Sequence, residues 1–493
     1  MTEVRPPRMN RWKTLDKDLR RIAVLEQAAT MAGRRAVALG IAVAFVAISG
    51  LFALSLGGAQ PGTGTIVLAA TLGAYMALNI GANDVANNMG PAVGAEALTM
   101  AGALAVAAIF ETAGSLIAGG DVVATISTGI IAPSAMASPD IFVRAMLAAL
   151  IAASLWLNLA TWLGAPVSTT HAIIGGVTGA GIAAAGFAAI NWAEILRIAA
   201  SWIISPLMGG GIAAVLLSFI TFALLDAPDK IAAARRWVPV LIGAMAGAFV
   251  TYLALKGLNA LFRLTLAPAL GLGLIAALGA WAMARPVVHR RSEGMENRKR
   301  SLKALFSLPL IAAAALLSFA HGANDVANAV GPLAAIVHAV RAGGASAGAV
   351  TIPLWVMLIG AFGISFGLVL FGPRLIRMVG QEITKLNAIR AWCVALAAAV
   401  TVILASALGL PVSSTHIAVG GIFGVGFYRE WDAERRARLL NKQKGKPLTS
   451  EERRRRKLVR RAHVLGIGAA WVVTVPLTAL LSAGLYLLLA LAG

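Results

Sequence analysis

Long apolar runs are the feature of this sequence that most restricts its fold. A helix that crosses a bilayer needs roughly 20 apolar residues, and runs of about that length recur along the 493 residues. The clearest cover residues 36–56, 64–82, 98–118, 142–164, 198–225, 237–255, 264–284, 304–322, 351–372, 388–409 and 464–491. A composition with 59% hydrophobic and 13% charged residues also excludes a water-soluble globule. Together with two further segments, the runs predict about twelve spans in an all-α polytopic membrane protein.

The net charge of +21 is concentrated in three polar tracts that flank apolar segments. Residues 1–35, 285–303 and 429–463 hold 9, 7 and 14 of the 42 Lys and Arg residues. This placement is typical of the positive-inside pattern, so we predict that all three tracts and the N-terminus are cytoplasmic. It favours contact with a lipid bilayer over binding of nucleic acid. Short loops and the lack of a recognisable targeting segment favour a bacterial plasma membrane.

Two motifs each occur twice, in the same order along the chain. The first, NIGANDVANNMGP, returns as AHGANDVANAVGP at an offset of 241 residues, and the second, APVSTTHAIIGG, returns as LPVSSTHIAVGG at an offset of 245. The copies occupy residues 79–91, 320–332, 165–176 and 410–421. A period this long divides a chain into two halves. Secondary transporters are often built from two such halves, with the substrate site at the interface between them.

The repeat and the basic tracts together predict the domain organisation. We expect a basic N-terminal tail, a first transmembrane half, a basic linker and a second transmembrane half, which is interrupted by a basic loop. These segments are residues 1–35, 36–284, 285–303, 304–493 and 429–463 respectively. The motifs alone do not decide whether the two halves are parallel or inverted.

The first motif places a carboxylate in an apolar run in each half. A charge at membrane depth costs about 2.5 to 3.5 kcal/mol or more, so Asp84 and Asp325 are expected to face a pathway or a bound cation. Neighbouring amide oxygens would complete a site for Na⁺, or for a proton held on the aspartate. The candidate cation ligands are Asn83, Asp84, Asn87, Asn324, Asp325 and Asn328. The motif's glycines and prolines further predict a broken helix at this point.

The second motif predicts a helix that begins inside the membrane. Pro166 and Pro411 disfavour helix before them, and Ser168 and Ser413 are good N-cap residues. A helix N-terminus presents unpaired N–H groups and partial positive charge, which bind anions. The candidate anion ligands are Ser168, Thr169, Thr170, Ser413, Ser414, Thr415, Asn87 and Asn328.

Both motifs also have purely structural interpretations. The aspartates could cap a helix or reach a membrane interface, and the hydroxyl residues could only cap and pack helices. The appearance of both motifs in both halves favours the functional interpretation.

Three further titratable residues are candidates for accessory roles. Glu111 lies in a predicted span and could contribute to a cation site or relay. His171 and His416 end the two Ser/Thr runs, where they could orient ligands, handle protons or support the structure. A Ser-His-Asp hydrolase remains an alternative, although no segment resembles a nucleophile elbow. We therefore predict that the protein is not an enzyme.

The four motif copies resemble the duplicated signature of the inorganic phosphate transporter (PiT) family. The resemblance begins near residue 64 and continues to the last predicted span. It implies about twelve transmembrane segments, two inverted halves with re-entrant helices, and no cofactor beyond a coupling ion. It also implies that Asp84, Asn87, Asp325 and Asn328 serve cation and phosphate binding, with Na⁺ at the two aspartates in a sodium-coupled member. The Ser/Thr runs would bind the anion.

Two departures from the family pattern leave the coupling ion open. Asn88 corresponds to Ala329 in the second half, so the two half-sites differ chemically. Sodium-coupled members often carry a glutamate shortly before the second Pro-Val-Ser run, where this chain has apolar residues such as Ala395.

The resulting hypothesis is a symporter that imports inorganic phosphate with Na⁺ or H⁺ by alternating access. A sulfate permease of the same fold is the nearest alternative, and an intramembrane hydrolase or a channel is more remote. A homodimer is one alternative for the assembly.

Overall fold

The computed structural model describes most of the chain between residues 36 and 491. The described residues are 33, 36–58, 60–131, 135–163, 167–257, 264–341, 352–378, 386–443 and 461–491. Almost all of the basic tail at 1–35, residues 444–460 of the basic loop and Pro166 therefore lie outside the described part.

Fifteen α-helices make up nearly all of the described chain. The first eight are α1 (Ala36–Gly57), α2 (Thr63–Gly94), α3 (Met100–Ala118), α4 (Gly120–Ala124), α5 (Pro139–Leu163), α6 (Thr169–Ala185), α7 (Trp192–Ile220) and α8 (Lys230–Lys256). The others are α9 (Leu266–Ser292), α10 (Lys299–Leu305), α11 (Ser307–Arg341), α12 (Leu354–Met378), α13 (Ala388–Ala407), α14 (Ser414–Gln443) and α15 (Arg461–Leu491). Single π turns at Thr125–Gly129 and Thr221–Leu225 continue α4 and α7.

The described residues confirm the all-α polytopic fold. Eleven of their helices are long and apolar enough to cross a membrane, and each coincides with one of the eleven apolar runs. The two further expected segments form α6 and α14, which both begin at the second motif. The described residues contain no β-strand, and only an isolated bridge joins Ile131 to Ile190.

The two halves interlock through glycine contacts. Helix α2 of the first half packs on α12 of the second, and α11 of the second half packs on α3 of the first. A Cβ atom on Gly81 would lie 1.9 Å from the carbonyl oxygen of Ile364, and one on Gly322 would lie 2.1 Å from that of Glu111. Close approach of helix backbones at small residues is a main source of cohesion within membranes. The motif helices are therefore held at both crossings by backbone contact.

The break predicted within the first motif was wrong. Helices α2 and α11 run without interruption through both copies, including Pro91 and Pro332. The motif glycines provide close helix contacts instead of a break, and tertiary packing outweighs the local cost of a helical proline, about 3 kcal/mol. Helix starts inside the protein occur at the second motif, as expected.

Candidate functional site

Two helices begin in the interior of the protein, one from each half. The Ser168 Oγ accepts a hydrogen bond from the backbone N–H of His171 at 3.2 Å, and the Ser413 Oγ accepts one from that of His416 at 3.3 Å. Both serines are buried. They act as the N-caps that the sequence predicts, so the positive ends of α6 and α14 lie within the fold.

The carboxylate of the first motif contacts hydroxyl groups from both halves. The Asp84 Oδ1 accepts hydrogen bonds from Asn83 Nδ2 at 3.0 Å and from Thr415 Oγ1 at 3.2 Å. Its Oδ2 accepts one from Thr169 Oγ1 at 3.0 Å. Asn87 Nδ2 donates to Thr415 Oγ1 at 2.7 Å. Asp84 therefore joins the starts of α6 and α14.

The second half repeats this arrangement: its aspartate contacts a hydroxyl group of its own half, and its asparagine contacts hydroxyl groups of the first half. The Asp325 Oδ2 accepts a hydrogen bond from Ser414 Oγ at 3.2 Å, and Asn328 Nδ2 reaches Thr169 and Thr170 Oγ1 at 3.3 and 3.2 Å. The Oδ1 atoms of Asp325 and Asn328 are buried and accept no hydrogen bond from the described residues. Buried acceptors without a donor are suited to a cation, because oxygen ligands are what Na⁺ requires.

Asn83 and Asn324, which occupy equivalent positions in the two copies of the first motif, hold the chain that precedes the helix starts. The Asn324 side chain donates to the carbonyl of Leu410 at 3.0 Å and accepts from the N–H of Val412 at 3.1 Å. Asn83 Nδ2 also lies 3.3 Å from the carbonyl oxygen of Val167. These contacts position the backbone of each second motif against its first motif.

A histidine that the sequence analysis did not select lies among three buried acids. The His321 Nε2 is 2.9 Å from Asp325 Oδ2 and 3.8 Å from Asp84 Oδ2, while its Nδ1 is 3.3 Å from Glu111 Oε2. Asn88 Nδ2 donates to Glu111 Oε1 at 2.9 Å. Glu111 is therefore connected to both motif aspartates through one imidazole ring.

The sequence contains a signal for this histidine. His321 precedes Asp325 by four residues, which places both on the same face of a helix. At the equivalent position the first half has the apolar residue Ile80, so the histidine does not appear in the repeat.

The geometry of the carboxylates fits a cation. One ligand atom each from Asp84, His321 and Asp325 lies within 4.8 Å of the others. Buried carboxylates at this separation repel each other unless positive charge lies between them. The site can therefore hold a cation, or a shared proton, beside the two helix N-termini.

His171 and His416 meet at the interface between the halves. Their ring centroids are 4.5 Å apart in an edge-to-face arrangement, and the centroid of Trp202 lies 3.8 Å from that of His171. Trp202 Nε1 in turn donates to the carbonyl of Pro411 at 3.1 Å. This ring cluster orients the starts of α6 and α14 relative to each other.

Comparisons with known proteins agree on one family. A family model described as the phosphate transporter family matches residues 80–482. The chain is 47% identical over 415 residues to the "Putative phosphate permease" of Helicobacter pylori (strain J99), covering 84% of this chain and 78% of that protein. It is 35% identical over 488 residues to "Inorganic phosphate transporter 2-1, chloroplastic" of Arabidopsis thaliana, covering 93% and 78%. A solved structure, "The sodium-dependent phosphate transporter", is similar with a TM-score of 0.78 and 33% identity, covering 87% and 99%.

Proposed function

The chain belongs to the phosphate transporter family, and from this premise we propose that it is a secondary active symporter that imports inorganic phosphate together with Na⁺. The observation that carries this proposal is the convergence of all four motif copies at Asp84. Its carboxylate accepts hydrogen bonds from Thr169 of the first half and Thr415 of the second. A site made jointly by two repeats is the arrangement used by many secondary transporters.

Phosphate binding is supported by the two buried helix starts. The ends of α6 and α14 provide partial positive charge, and Thr169, Thr170, Ser414 and Thr415 add hydroxyl groups beside them. A hydroxyl group can rotate, so its proton can turn from a carboxylate to an arriving phosphate oxygen. Donors from two halves suit a tetrahedral oxyanion. Sulfate has the same shape and remains the competing substrate.

Coupling to Na⁺ is supported by the oxygen atoms at the site. Asp325 Oδ1 and Asn328 Oδ1 are buried acceptors that take no hydrogen bond from the described residues. The similar solved structure is that of a sodium-dependent phosphate transporter. A cation that moves with the anion also reduces the cost of charge transfer, about 2.3 kcal/mol per charge per 100 mV. A proton shared between His321 and the acids is the alternative coupling ion.

Alternating access follows from a site at the interface between two halves. Rocking of one part against another would expose the site first to one side and then to the other. We place the transporter in a plasma membrane with its basic tracts and N-terminus in the cytoplasm.

Uptake of ³²P-phosphate into proteoliposomes tests the proposal. We expect uptake under an imposed Na⁺ gradient, resistance to excess sulfate, and loss of uptake in Asp84→Asn and Asp325→Asn. Asp121→Asn is the matched control, because the half-exposed Asp121 side chain pairs with Lys256 and with no described residue of the four motif copies. This variant should transport normally.

Other outcomes would identify the alternatives. Uptake driven by a pH gradient alone would indicate that the coupling ion is H⁺ and not Na⁺. Sulfate uptake in place of phosphate uptake would indicate a sulfate permease, and a flux that does not saturate would indicate a channel. Substrate turnover without net transport, lost in His171→Ala or His416→Ala, would indicate a hydrolase.

A further inference from the structure

Four residues on one face of α2 form a polar row that leads to the site. Tyr75, Asn79, Asn83 and Asn87 recur at every fourth position, which aligns them along the helix. Between residues 73 and 90 these are the positions of α2 that are not buried, and Tyr75 is 37% exposed. The row ends at Asn87, whose amide donates to Thr415 beside Asp84.

The composition of this α2 polar row indicates that it faces water. On α7, by contrast, highly exposed positions are apolar, as at Ile203 and Leu207, which is typical of a face in contact with lipid. In contact with lipid tails, each amide N–H or C=O group that has no protein partner would cost several kcal/mol (~4 to 8 for transfer from water to hydrocarbon). Three asparagines and a tyrosine in line therefore indicate a hydrated path.

The far end of the row carries a pair of side chains from two helices. Asn158 of α5 donates a hydrogen bond to the hydroxyl of Tyr75 and another to the carbonyl of Ser154 at 3.1 Å. Asn79 Nδ2 donates to the carbonyl of Tyr75 at 2.9 Å. These groups offer neutral donors and acceptors. They can exchange hydrogen bonds with a hydrated oxyanion without the strong retention that a fixed positive charge would cause.

The second half has no equivalent row. At the repeat offset of 241 residues, the counterparts of Tyr75 and Asn79 are Leu316 and Ala320, which are 8% and 0% exposed. The counterpart of Asn158 at the second offset is the apolar Ile403. The two halves therefore approach the shared site differently, one through a polar accessible face and one through an apolar buried face.

We infer that the α2 polar row is the path by which the oxyanion reaches the site, with Tyr75 and Asn158 at its outer end. This inference rests on the proposed function and adds the direction of access. Helix α1 is the span that separates the basic tail from the start of α2. If that tail is cytoplasmic, the row opens to the outside of the cell.

Cysteine labelling tests the path without relying on transport. The chain has a single cysteine, the buried Cys393, so Cys393→Ala gives a background for Tyr75→Cys and Asn79→Cys. Leu316→Cys and Ala320→Cys are their matched controls in the second half, and Leu207→Cys on the exposed face of α7 is the lipid-facing control. The probe is an anionic, membrane-impermeant methanethiosulfonate added outside intact cells, with modification read as a mass shift of the purified protein.

We expect the probe to modify the Tyr75 and Asn79 variants and to leave the three controls unmodified until the protein is denatured. Phosphate should slow the modification of Asn79→Cys. No modification of either row variant, or equal modification of Ala320→Cys, would overturn the inference. If the probe modifies the two row variants but the protein does not transport phosphate, the hydrated path is supported and the proposed function is overturned.

A kinetic measurement addresses the outer end of the row. Removal of one hydrogen-bonding group in Tyr75→Phe or Asn158→Leu should raise the KM for phosphate about fivefold, at unchanged maximal rate. Leu207→Ala on α7 is the control. An unchanged KM in both variants would remove Tyr75 and Asn158 from the path.

Discussion

His321 is the basic side chain among the buried acids of the site, and its position is not repeated in the first half. Its imidazole lies within 4 Å of carboxylate oxygens of Asp325, Asp84 and Glu111. Acids brought this close inside a protein destabilise it unless positive charge or a shared proton compensates them. The residue therefore supports the fold as well as the site.

Replacement of His321 by leucine should lower the stability of the protein. Loss of one partner from a buried charged cluster typically costs about 3 to 5 kcal/mol of unfolding free energy. The measurement is denaturant unfolding of purified protein in detergent. Ile80→Leu is the matched control at the equivalent position, where a volume-conserving change costs less than about 1.5 kcal/mol. Equal effects of the two substitutions would contradict the role given to His321.

Candidate site residues could be predicted from the sequence where the same residue type occurs in both copies of a motif. Asp84 and Asp325 stand out because a carboxylate in an apolar run is costly and both halves contain one. His321 escaped notice because its counterpart is Ile80. The backbone contacts of Asn324 could not be read from sequence, since they join residues more than 80 positions apart.

At the scale of helices, the motif glycines act through packing. Gly322 of α11 touches the backbone of α3, and Gly114 of α3 would place a Cβ atom 2.0 Å from the carbonyl of Phe319 in return. Read from the sequence alone, a glycine is a weak point in a helix. Its role in packing depends on which helix lies opposite, and sequence spacing does not contain that information.

Gly322→Ala should therefore disrupt the crossing of α11 and α3. The added methyl group would meet backbone atoms, which cannot move aside as a flexible side chain can, so we expect loss of folded, monodisperse protein in size-exclusion chromatography. Gly279→Ala on α9 is the control, because open space surrounds that position. There, alanine should be neutral or stabilising by up to about 1 kcal/mol. Normal yield of the Gly322 variant would contradict this account of the crossing.

Helix α14 connects the site to an exposed end of the protein. It begins at Ser414, and more than twenty residues later its Arg436 binds the Asp226 carboxylate through both terminal guanidinium nitrogens, at 3.1 and 2.6 Å. These hydrogen bonds hold the pKa of Asp226 below its usual value. The Arg436 pair therefore joins the far end of α14 to the segment that follows α7.

Asp226→Asn should cost no more than about 1 kcal/mol, because the pair is largely exposed. A lowered folded-state pKa stabilises the protein above the unfolded pKa of about 3.9, and this stabilisation disappears as pH falls through the folded value. The difference in unfolding free energy between wild type and variant should therefore be present at neutral pH and vanish in acid. High salt should reduce it as well. Glu296→Gln, in a separate surface pair with Arg298, is the control, and a difference that grows in acid would contradict the assignment.

At the scale of the whole molecule, the basic tracts bear on how the halves are related. If residues 1–35 and 285–303 lie on one side, the single span α1 carries the chain across before α2 begins, whereas α11 begins just after the basic linker. Helices α2 and α11 then enter from opposite sides, so the repeats are inverted. The second motifs sharpen this argument, because α6 and α14 start together around Asp84.

Inverted halves require α6 and α14 to leave this common point towards opposite faces of the membrane. Phe187, just beyond α6, is 67% exposed, and Leu439, near the end of α14, is 58% exposed. In the Cys393→Ala background, an impermeant maleimide should therefore label Phe187→Cys from outside intact cells and Leu439→Cys only in inside-out vesicles. Labelling of both from the same side would mean parallel halves. Parallel halves would also remove the reason for assigning the α2 polar row to the outside, since that assignment depends on the same count of crossings.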